Sequence, residues 1–141
     1  MIRVLIADDH LILREGLKMI LEETEDIHVV DEASDGEEVL DKAKKNSFDV
    51  IVLDINMPRK NGFEVLEELK ARGNIIPVLM LSTYSAEDYR ELSVKEGAAG
   101  YLTKKQAPAQ LIDAIRKVFQ DRQLHADAPL YPKLSFEECI D

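Results

Sequence analysis

Short apolar segments alternate along this chain with longer segments in which apolar residues recur at helical spacing. The apolar segments are residues 2–7, 27–33, 50–53, 76–81 and 99–102, and an amphipathic stretch follows each of them. Strands that are apolar on both faces are typical of a parallel sheet covered by helices on either side. Right-handed crossovers between five strand-helix units then favour a doubly wound α/β fold, (βα)5, with the strand order 2-1-3-4-5.

Polar residues and glycine indicate where the helices between these strands begin and end. Asp35, followed three residues later by Glu38, forms a capping-box pattern, and Ser85 is expected to cap the fourth helix. Gly73 is typical of a residue that ends a helix. The helices with the clearest apolar faces are expected over residues 11–23, 61–72 and 108–119.

The helical pattern stops near Gln120, and Pro129 and Pro132 follow it. We therefore expect residues 1–120 to form one domain. Residues 121–141 are expected to be a linker or tail that leads to an effector domain absent from this chain.

The chain is strongly acidic, with a formal net charge of −10. Such a charge repels nucleic acid and anionic membrane surfaces, so this segment is expected to bind neither. The one cysteine allows no internal disulfide, and no apolar run approaches the length of a membrane span. These features predict a cytoplasmic protein.

Polar side chains stand where four of the predicted strands end. Asp8 and Asp9 follow the first strand, Asp54 the third, Ser82 the fourth and Lys104 the fifth. These strands are neighbours in the predicted order, so three carboxylates, a hydroxyl and an ammonium are expected to converge on one pocket. Crowded carboxylates suit Mg²⁺, a hard ion that completes its shell with water and phosphate. A carboxylate beside such an ion can attack phosphorus and form an aspartyl phosphate.

These residues, in this order, resemble the receiver domain of two-component response regulators. The resemblance is carried by Asp8 and Asp9, by Asp54 ahead of Met57-Pro58 and Gly62, by Ser82, and by the segment Gly100-Tyr101-Leu102-Thr103-Lys104. It covers residues 2–119, and five separated features in the right order make it specific. The first strand's end, residues 97–101 and the final helix are similar to receivers of the NarL/FixJ (LuxR-type) subfamily, which usually precede a helix-turn-helix DNA-binding domain.

The resemblance implies a flavodoxin-like fold and a phosphoryl switch. Asp54 is the implied phosphoacceptor, Ser82 and Lys104 are implied to bind phosphoryl oxygens, and Ser82 with Tyr101 is the implied switch pair. The expected phosphoryl donor is a sensor histidine kinase. The chain is expected to catalyse only its own phosphorylation and dephosphorylation, and so is not expected to be an enzyme. The expected outputs are a phosphorylation-dependent homodimer and transcription through the helix-turn-helix domain.

The resemblance also implies a set of metal ligands. Asp9 is the implied direct ligand of Mg²⁺, for which Mn²⁺ can substitute, and Asp8 acts through water. Asp54 and the backbone carbonyl of Asn56 complete the implied set. His10 is interpreted as a surface residue, because a lone histidine beside acids at a helix start more often has no metal. Lys105 stands where many receivers have proline.

Three other functions compete with this one. A flavin-binding electron carrier on the same fold needs a phosphate-cradling loop after the first strand, but that loop is acidic here and the chain has no tryptophan. A phosphatase or mutase with an aspartyl nucleophile typically has a second aspartate where this chain has Asn56. A degenerate receiver that acts only as a binding module is disfavoured by the complete set of acids with Ser82 and Lys104.

Overall fold

The structure is a computed structural model that describes residues 1–83 and 87–124. Within these ranges, apolar segments form five strands and amphipathic segments form five helices. In chain order they are β1 (Ile2–Ala7), α1 (Leu11–Glu22), β2 (Ile27–Ala33), α2 (Gly36–Lys45), β3 (Val50–Asp54), α3 (Gly62–Ala71), β4 (Val78–Ser82), α4 (Glu87–Lys95), β5 (Gly100–Thr103) and α5 (Ala107–Leu124). The sheet is parallel and its order is β2-β1-β3-β4-β5, which confirms the predicted fold.

Helices cover the two faces of the sheet because alternate strand residues point to opposite sides. On one face, Leu17 and Leu21 of α1 pack with Leu111, Ile115 and Val118 of α5 against the sheet. On the other face, buried residues of α2 and α3 and a half-buried tyrosine of α4 form a second cluster. Each strand therefore contributes to two cores, as a doubly wound fold requires. No helix in the described ranges is long and apolar enough to cross a membrane.

Strand β2 departs from the expected apolar pattern, since only its first and last residues are buried. Asp31 accepts a hydrogen bond from Lys42 at 2.8 Å, and Glu32 accepts one from Arg14 at 3.0 Å. β2 is an edge strand, and charged residues on such a strand discourage pairing with another chain. The edge position explains why this strand is polar while β3 and β4 are wholly buried.

Strand β4 begins at Val78 rather than at the predicted Ile76. Pro77 has no N–H for a strand ladder, although its carbonyl accepts a hydrogen bond from the Ile51 N–H at 3.0 Å. The strand ladder with β3 therefore starts one residue after the proline.

The last helix is longer than predicted. It begins at Ala107 and continues past Phe119 to Leu124, so residues 121–124 extend α5. Residues 125–141 lie outside the described residues, as does Ser85, the predicted cap of α4. The division of the chain at residue 120 stays a prediction.

The helix ends combine predicted and unpredicted capping contacts. The Asp35 side chain accepts from the Glu38 N–H at 2.9 Å, as predicted, but the Glu38 side chain accepts from the Ser34 N–H instead of from that of Asp35. Asn61 opens α3 with a complete capping box, which the sequence analysis missed. Gly73 follows α3 with φ +73°, a conformation that favours glycine and confirms its predicted role.

Candidate functional site

The register of the sheet brings the ends of β1 and β3 together. Ala7 pairs with Leu53, so Asp8 and Asp54 follow at the same level of two adjacent strands. Asp54 is itself the last residue of β3 and pairs with Leu81 of β4. Both aspartates are fully buried, with 0% of their surface exposed. Two buried carboxylates side by side are costly unless cations compensate their charge.

Lys104 supplies one of the compensating charges. Its ammonium nitrogen lies 3.1 Å from Asp8 Oδ2 and 3.1 Å from Asp54 Oδ2. Burial alone would lower the pKa of Lys104, but the attraction and hydrogen bonds of the two carboxylates outweigh it and raise that pKa above its ordinary value. Lys104 is therefore a firmly protonated cation that bridges the two aspartates.

The carboxyl group of Asp54 holds its proton more tightly than an exposed aspartate does. Burial, and next the negative charge of Asp8, raise the pKa of Asp54 to about 6 against the opposing effects of Lys104 and of the Asn56 amide. The Asn56 N–H donates to Asp54 Oδ1 at 3.3 Å, while Asp54 Oδ2 faces Lys104. Most of this carboxyl is still ionised at neutral pH, and another cation would favour the ionised form further.

Asp9 and His10 extend the buried pair to a group of potential metal donors. One side-chain atom from each of Asp8, Asp9, His10 and Asp54 lies within 4.8 Å of the others. Among the described residues, this group has three carboxylates and the Lys104 ammonium contacts two of them, so negative charge is in excess and a divalent cation would balance it. Carboxylate oxygens are the donors that Mg²⁺ prefers, and the residues present therefore fit that ion.

Backbone and side-chain contacts on both sides hold Lys104 at the end of β5. Its N–H donates to the Ser82 carbonyl at 2.7 Å. The Thr103 N–H donates to Gln106 Oε1 at 3.0 Å, and the Gln106 N–H donates to Thr103 Oγ1 at 3.1 Å. No peptide bond in the described ranges is cis, so the bond between Lys104 and Lys105 is trans, and Lys105 is exposed.

Ser82 and Tyr101 lie on neighbouring strands near this pocket. Ser82 is the fully buried last residue of β4 and pairs with Thr103. Tyr101 pairs with Met80, is half-buried, and packs against the core cluster that Tyr89 of α4 also contacts. Strand alternation places Ser82 on the same face of the sheet as Met80, which is the face that α4 covers. Both residues therefore belong to strands next to the carboxylates, and their switching role stays a prediction.

Two further residues position the site and were missed by the sequence analysis. Arg14 Nη1 donates to the Asp8 backbone carbonyl at 2.6 Å, and Arg14 Nε donates to Glu32 Oε1 at 3.0 Å. These contacts tie the β1–α1 loop to the edge strand, and no regular spacing in the sequence identifies them. Gln106 had a signal, because Thr103 and Gln106 form the Thr-x-x-Gln pattern of a capping box.

Gly62 is required because α3 starts against the end of β3. A Cβ atom at this position would lie 2.7 Å from the Asp54 carbonyl oxygen and 2.8 Å from Ile55 Cα. The Gly62 N–H donates to the Ile55 carbonyl at 2.7 Å. A larger residue would displace the backbone that presents the Asp54 carboxylate.

Comparison with known proteins agrees with this arrangement. Residues 4–116 match the family described as the response regulator receiver domain. The chain is similar to the transcriptional regulatory protein DegU of Brevibacillus brevis, with 38% identity over 134 residues that cover 95% of this chain and 55% of DegU. Its structure is similar to the signal receiver domain of the response regulator NarL from Mycobacterium tuberculosis, with TM-score 0.81, 30% identity, and coverage of 86% and 98%. It is also similar to a LuxR-family two-component response regulator from Aurantimonas sp. SI85-9A1, with TM-score 0.81, 28% identity, and coverage of 85% and 86%.

The chain spans about half the length of the curated relatives it matches. Within the chain, the family match runs from β1 into α5 and includes every strand end described above. The predicted fold, strand order and family are all confirmed. The chain therefore belongs to the response regulator receiver domains, signalling switches of two-component systems, and within them to the NarL/LuxR type.

Proposed function

We propose that Asp54 accepts a phosphoryl group from a sensor histidine kinase in a reaction that depends on Mg²⁺, and that the modified chain controls an output. The observation that carries this proposal is the fully buried Asp54 carboxylate, 3.1 Å from the Lys104 ammonium and beside a second buried carboxylate. A buried charge at the end of an apolar strand is costly, which argues for a functional role. A pKa of about 6 leaves the group largely ionised, as a nucleophile must be, at neutral pH.

In the proposed step, a carboxylate oxygen of Asp54 attacks the phosphorus of a kinase phosphohistidine. A P–O bond to Asp54 forms while the P–N bond to the imidazole breaks, and the electron pair of that bond stays on the ring nitrogen, which then takes a proton from solvent. Lys104, already beside Asp54 Oδ2, is positioned to neutralise a phosphoryl oxygen as charge moves onto the group. The Ser82 hydroxyl, at the end of the next strand, is the proposed second donor.

Asp8 and Asp9 have different proposed tasks at the metal. The Asp9 side chain is 34% exposed and open to a hydrated ion, whereas Asp8 is fully buried and already pairs with Lys104. These exposures support Asp9 as a direct ligand and Asp8 as a ligand through water, with Asp54 and the Asn56 carbonyl completing the set. A bound Mg²⁺ or Mn²⁺ would supply charge neutralisation for the carboxylates and the phosphoryl oxygens.

The proposed switch runs from Ser82 to Tyr101 and α4. A phosphoryl oxygen on Asp54 would draw the Ser82 hydroxyl toward it, and Tyr101 would move into the space that this motion leaves. Only a contact that differs between the two states can shift such an equilibrium, and here it is the bond from Ser82 to the phosphoryl group. Tyr101 and Tyr89 of α4 are both only half-buried against the same core cluster, which supports this route.

The proposed output is transcription through a helix-turn-helix effector domain, with a phosphorylation-dependent homodimer as the intermediate state. DegU is a transcriptional regulatory protein, and this chain covers 55% of its length. Residues 121–141 are proposed to lead to the effector, starting from the end of α5. The acidic chain itself is not proposed to contact DNA.

Intact mass spectrometry after incubation with acetyl phosphate and Mg²⁺ tests the phosphoacceptor. We expect the mass of one phosphoryl group on the wild-type chain and none on Asp54→Asn. The exposed Asp41 of α2 provides the control, and Asp41→Asn should be labelled like the wild type. Labelling that persists in Asp54→Asn would refute the assignment, and beryllofluoride, a phosphoryl mimic, should bind wild type but not that variant.

A further inference from the structure

His10 places an imidazole nitrogen among the carboxylates of the proposed metal site. Its Nδ1 lies 3.1 Å from Asp8 Oδ1 and 3.2 Å from Asp9 Oδ1. The His10 N–H also donates to Asp8 Oδ1 at 2.8 Å just before α1 begins, so the ring nitrogen and the backbone amide of His10 both contact this oxygen. The ring is 66% exposed on its other side. The residue is thus a surface residue, as predicted, and also a neighbour of the site, which was not predicted.

The distance between His10 Nδ1 and Asp9 Oδ1 fits two adjacent ligands of one metal ion. Two neighbouring ligands about 2.1 Å from an octahedral ion are about 3.0 Å apart. Two ligands about 2.0 Å from a tetrahedral ion are about 3.3 Å apart. The observed separation of 3.2 Å lies between these values. His10 Nδ1 and Asp9 Oδ1 therefore need little movement to share an ion, while Asp8 remains a ligand through water.

The chemistry of the donors decides which ions would gain from this arrangement. Mg²⁺ prefers oxygen ligands and gains little from an imidazole that displaces one of its waters. Co²⁺ and Zn²⁺ bind imidazole well and also accept carboxylates. A mixed set of one ring nitrogen and buried carboxylates therefore favours transition ions more than an all-oxygen set does.

We propose that His10 Nδ1 is a direct ligand in this site and that it lets a divalent transition ion compete with Mg²⁺. The proposal rests on the metal site of the proposed function but not on phosphoryl transfer to Asp54. The structure supports it through the mutual proximity of donors from Asp8, Asp9, His10 and Asp54, and because the Lys104 ammonium bridges two of these carboxylates and leaves negative charge in excess. The chain would then sense the supply of such ions as well as phosphorylation.

Electron spin echo spectroscopy of the Mn²⁺-loaded chain tests the ligand directly, because a bound ring nitrogen modulates the echo. We expect nitrogen modulation in the wild type and its loss in His10→Ala. His28→Ala and His125→Ala, which remove the other two histidines, are the matched controls and should keep it. Absence of nitrogen modulation in the wild type, or its persistence in His10→Ala, would overturn the proposal.

Affinity provides a second, independent readout. The relevant Co²⁺ affinity is that of the site from which excess Mg²⁺ displaces Co²⁺. At this site, Co²⁺ should bind at least about tenfold more weakly to His10→Ala than to wild type. The Mg²⁺ affinity should change by less than about twofold, since that ion prefers oxygen. An equal loss for both ions would show that His10 only orients the loop, which would also overturn the proposal.

The two proposals fail in different ways. The spectroscopic and affinity measurements use no phosphoryl donor, so a failure of phosphoryl transfer would leave the nitrogen signal in place. Normal labelling of Asp54 without a nitrogen signal would remove His10 from the site and leave the proposed function standing.

Discussion

The substitution Asp54→Asn should stabilise the metal-free chain at neutral pH, although it removes the proposed phosphoacceptor. The wild-type carboxylate is ionised there, fully buried, and beside the buried Asp8. The amide has nearly the same shape and no charge, so it avoids the cost of a buried anion. Lys104 keeps its contact with Asp8 in the variant, so its ammonium is not left without a partner.

The size and sign of the effect follow from the pKa. Folding raises the pKa of Asp54 from 3.8 to about 6, so the native state binds a proton more tightly than the unfolded state. The free energy of unfolding therefore falls as pH rises through this interval and stays low above it. At about 1.4 kcal/mol per pKa unit, the cost at neutral pH is about 3 kcal/mol at most. We expect a net gain of about 2 kcal/mol in Asp54→Asn, or roughly 6–10 °C in Tm.

Urea denaturation from pH 4 to pH 8 in the presence of a chelator measures this difference. The advantage of Asp54→Asn should be small near pH 4, grow through pH 6, and level off above pH 7. Asp41→Asn, at an exposed position, should change the free energy of unfolding by less than about 0.5 kcal/mol throughout. An Asp54→Asn variant that is less stable at pH 7.5, or whose advantage does not vary with pH, would refute the reasoning.

Three other outcomes are expected. Asp9→Ala should lower the Mg²⁺ affinity measured by calorimetry more than Asp8→Ala does, and an Asp9→Ala variant with wild-type affinity would remove Asp9 from the site. The 141-residue chain should give no gel shift with DNA because of its net charge of −10, and a salt-sensitive shift would contradict this. Beryllofluoride should change hydrogen exchange across residues 83–105, and Ser82→Ala should lose these changes while still accepting phosphate slowly. Changes confined to the surroundings of Asp54 would refute the proposed switch.

Local patterns were sufficient to predict the strands and the helix ends that depend on nearby residues. Continuous apolar runs identified β3 and β4, since such segments are stable only when both of their faces are covered. The prediction for β4 began too early because hydrophobicity outweighed the missing N–H of Pro77. The last helix extends past Phe119 to Leu124. The backbone hydrogen bonds of a helix can continue where its apolar pattern weakens, and Val118 is buried against the sheet.

The sequence was sufficient to predict which residues meet in the candidate site. Parallel strands end at one edge, so Asp8, Asp54, Ser82 and Lys104 had to be neighbours once the strand order was known. Distances and protonation were not predictable in this way. The two 3.1 Å contacts of Lys104 and the raised pKa of Asp54 depend on the depth of burial, which several distant segments set together.

By itself, the sequence determined the strands and the set of acids at their ends, because periodicity and strand termini are local properties. Right-handed crossovers between five strand-helix units then determined the doubly wound fold and the strand order. Only the tertiary structure decided how the loop after β1 is held and what its donors face. Arg14 reaches the Asp8 carbonyl and the edge strand at once, and His10 Nδ1 comes within 3.2 Å of two carboxylates. Such contacts depend on side-chain directions fixed by packing between segments far apart in the chain, and no spacing along the chain encodes them.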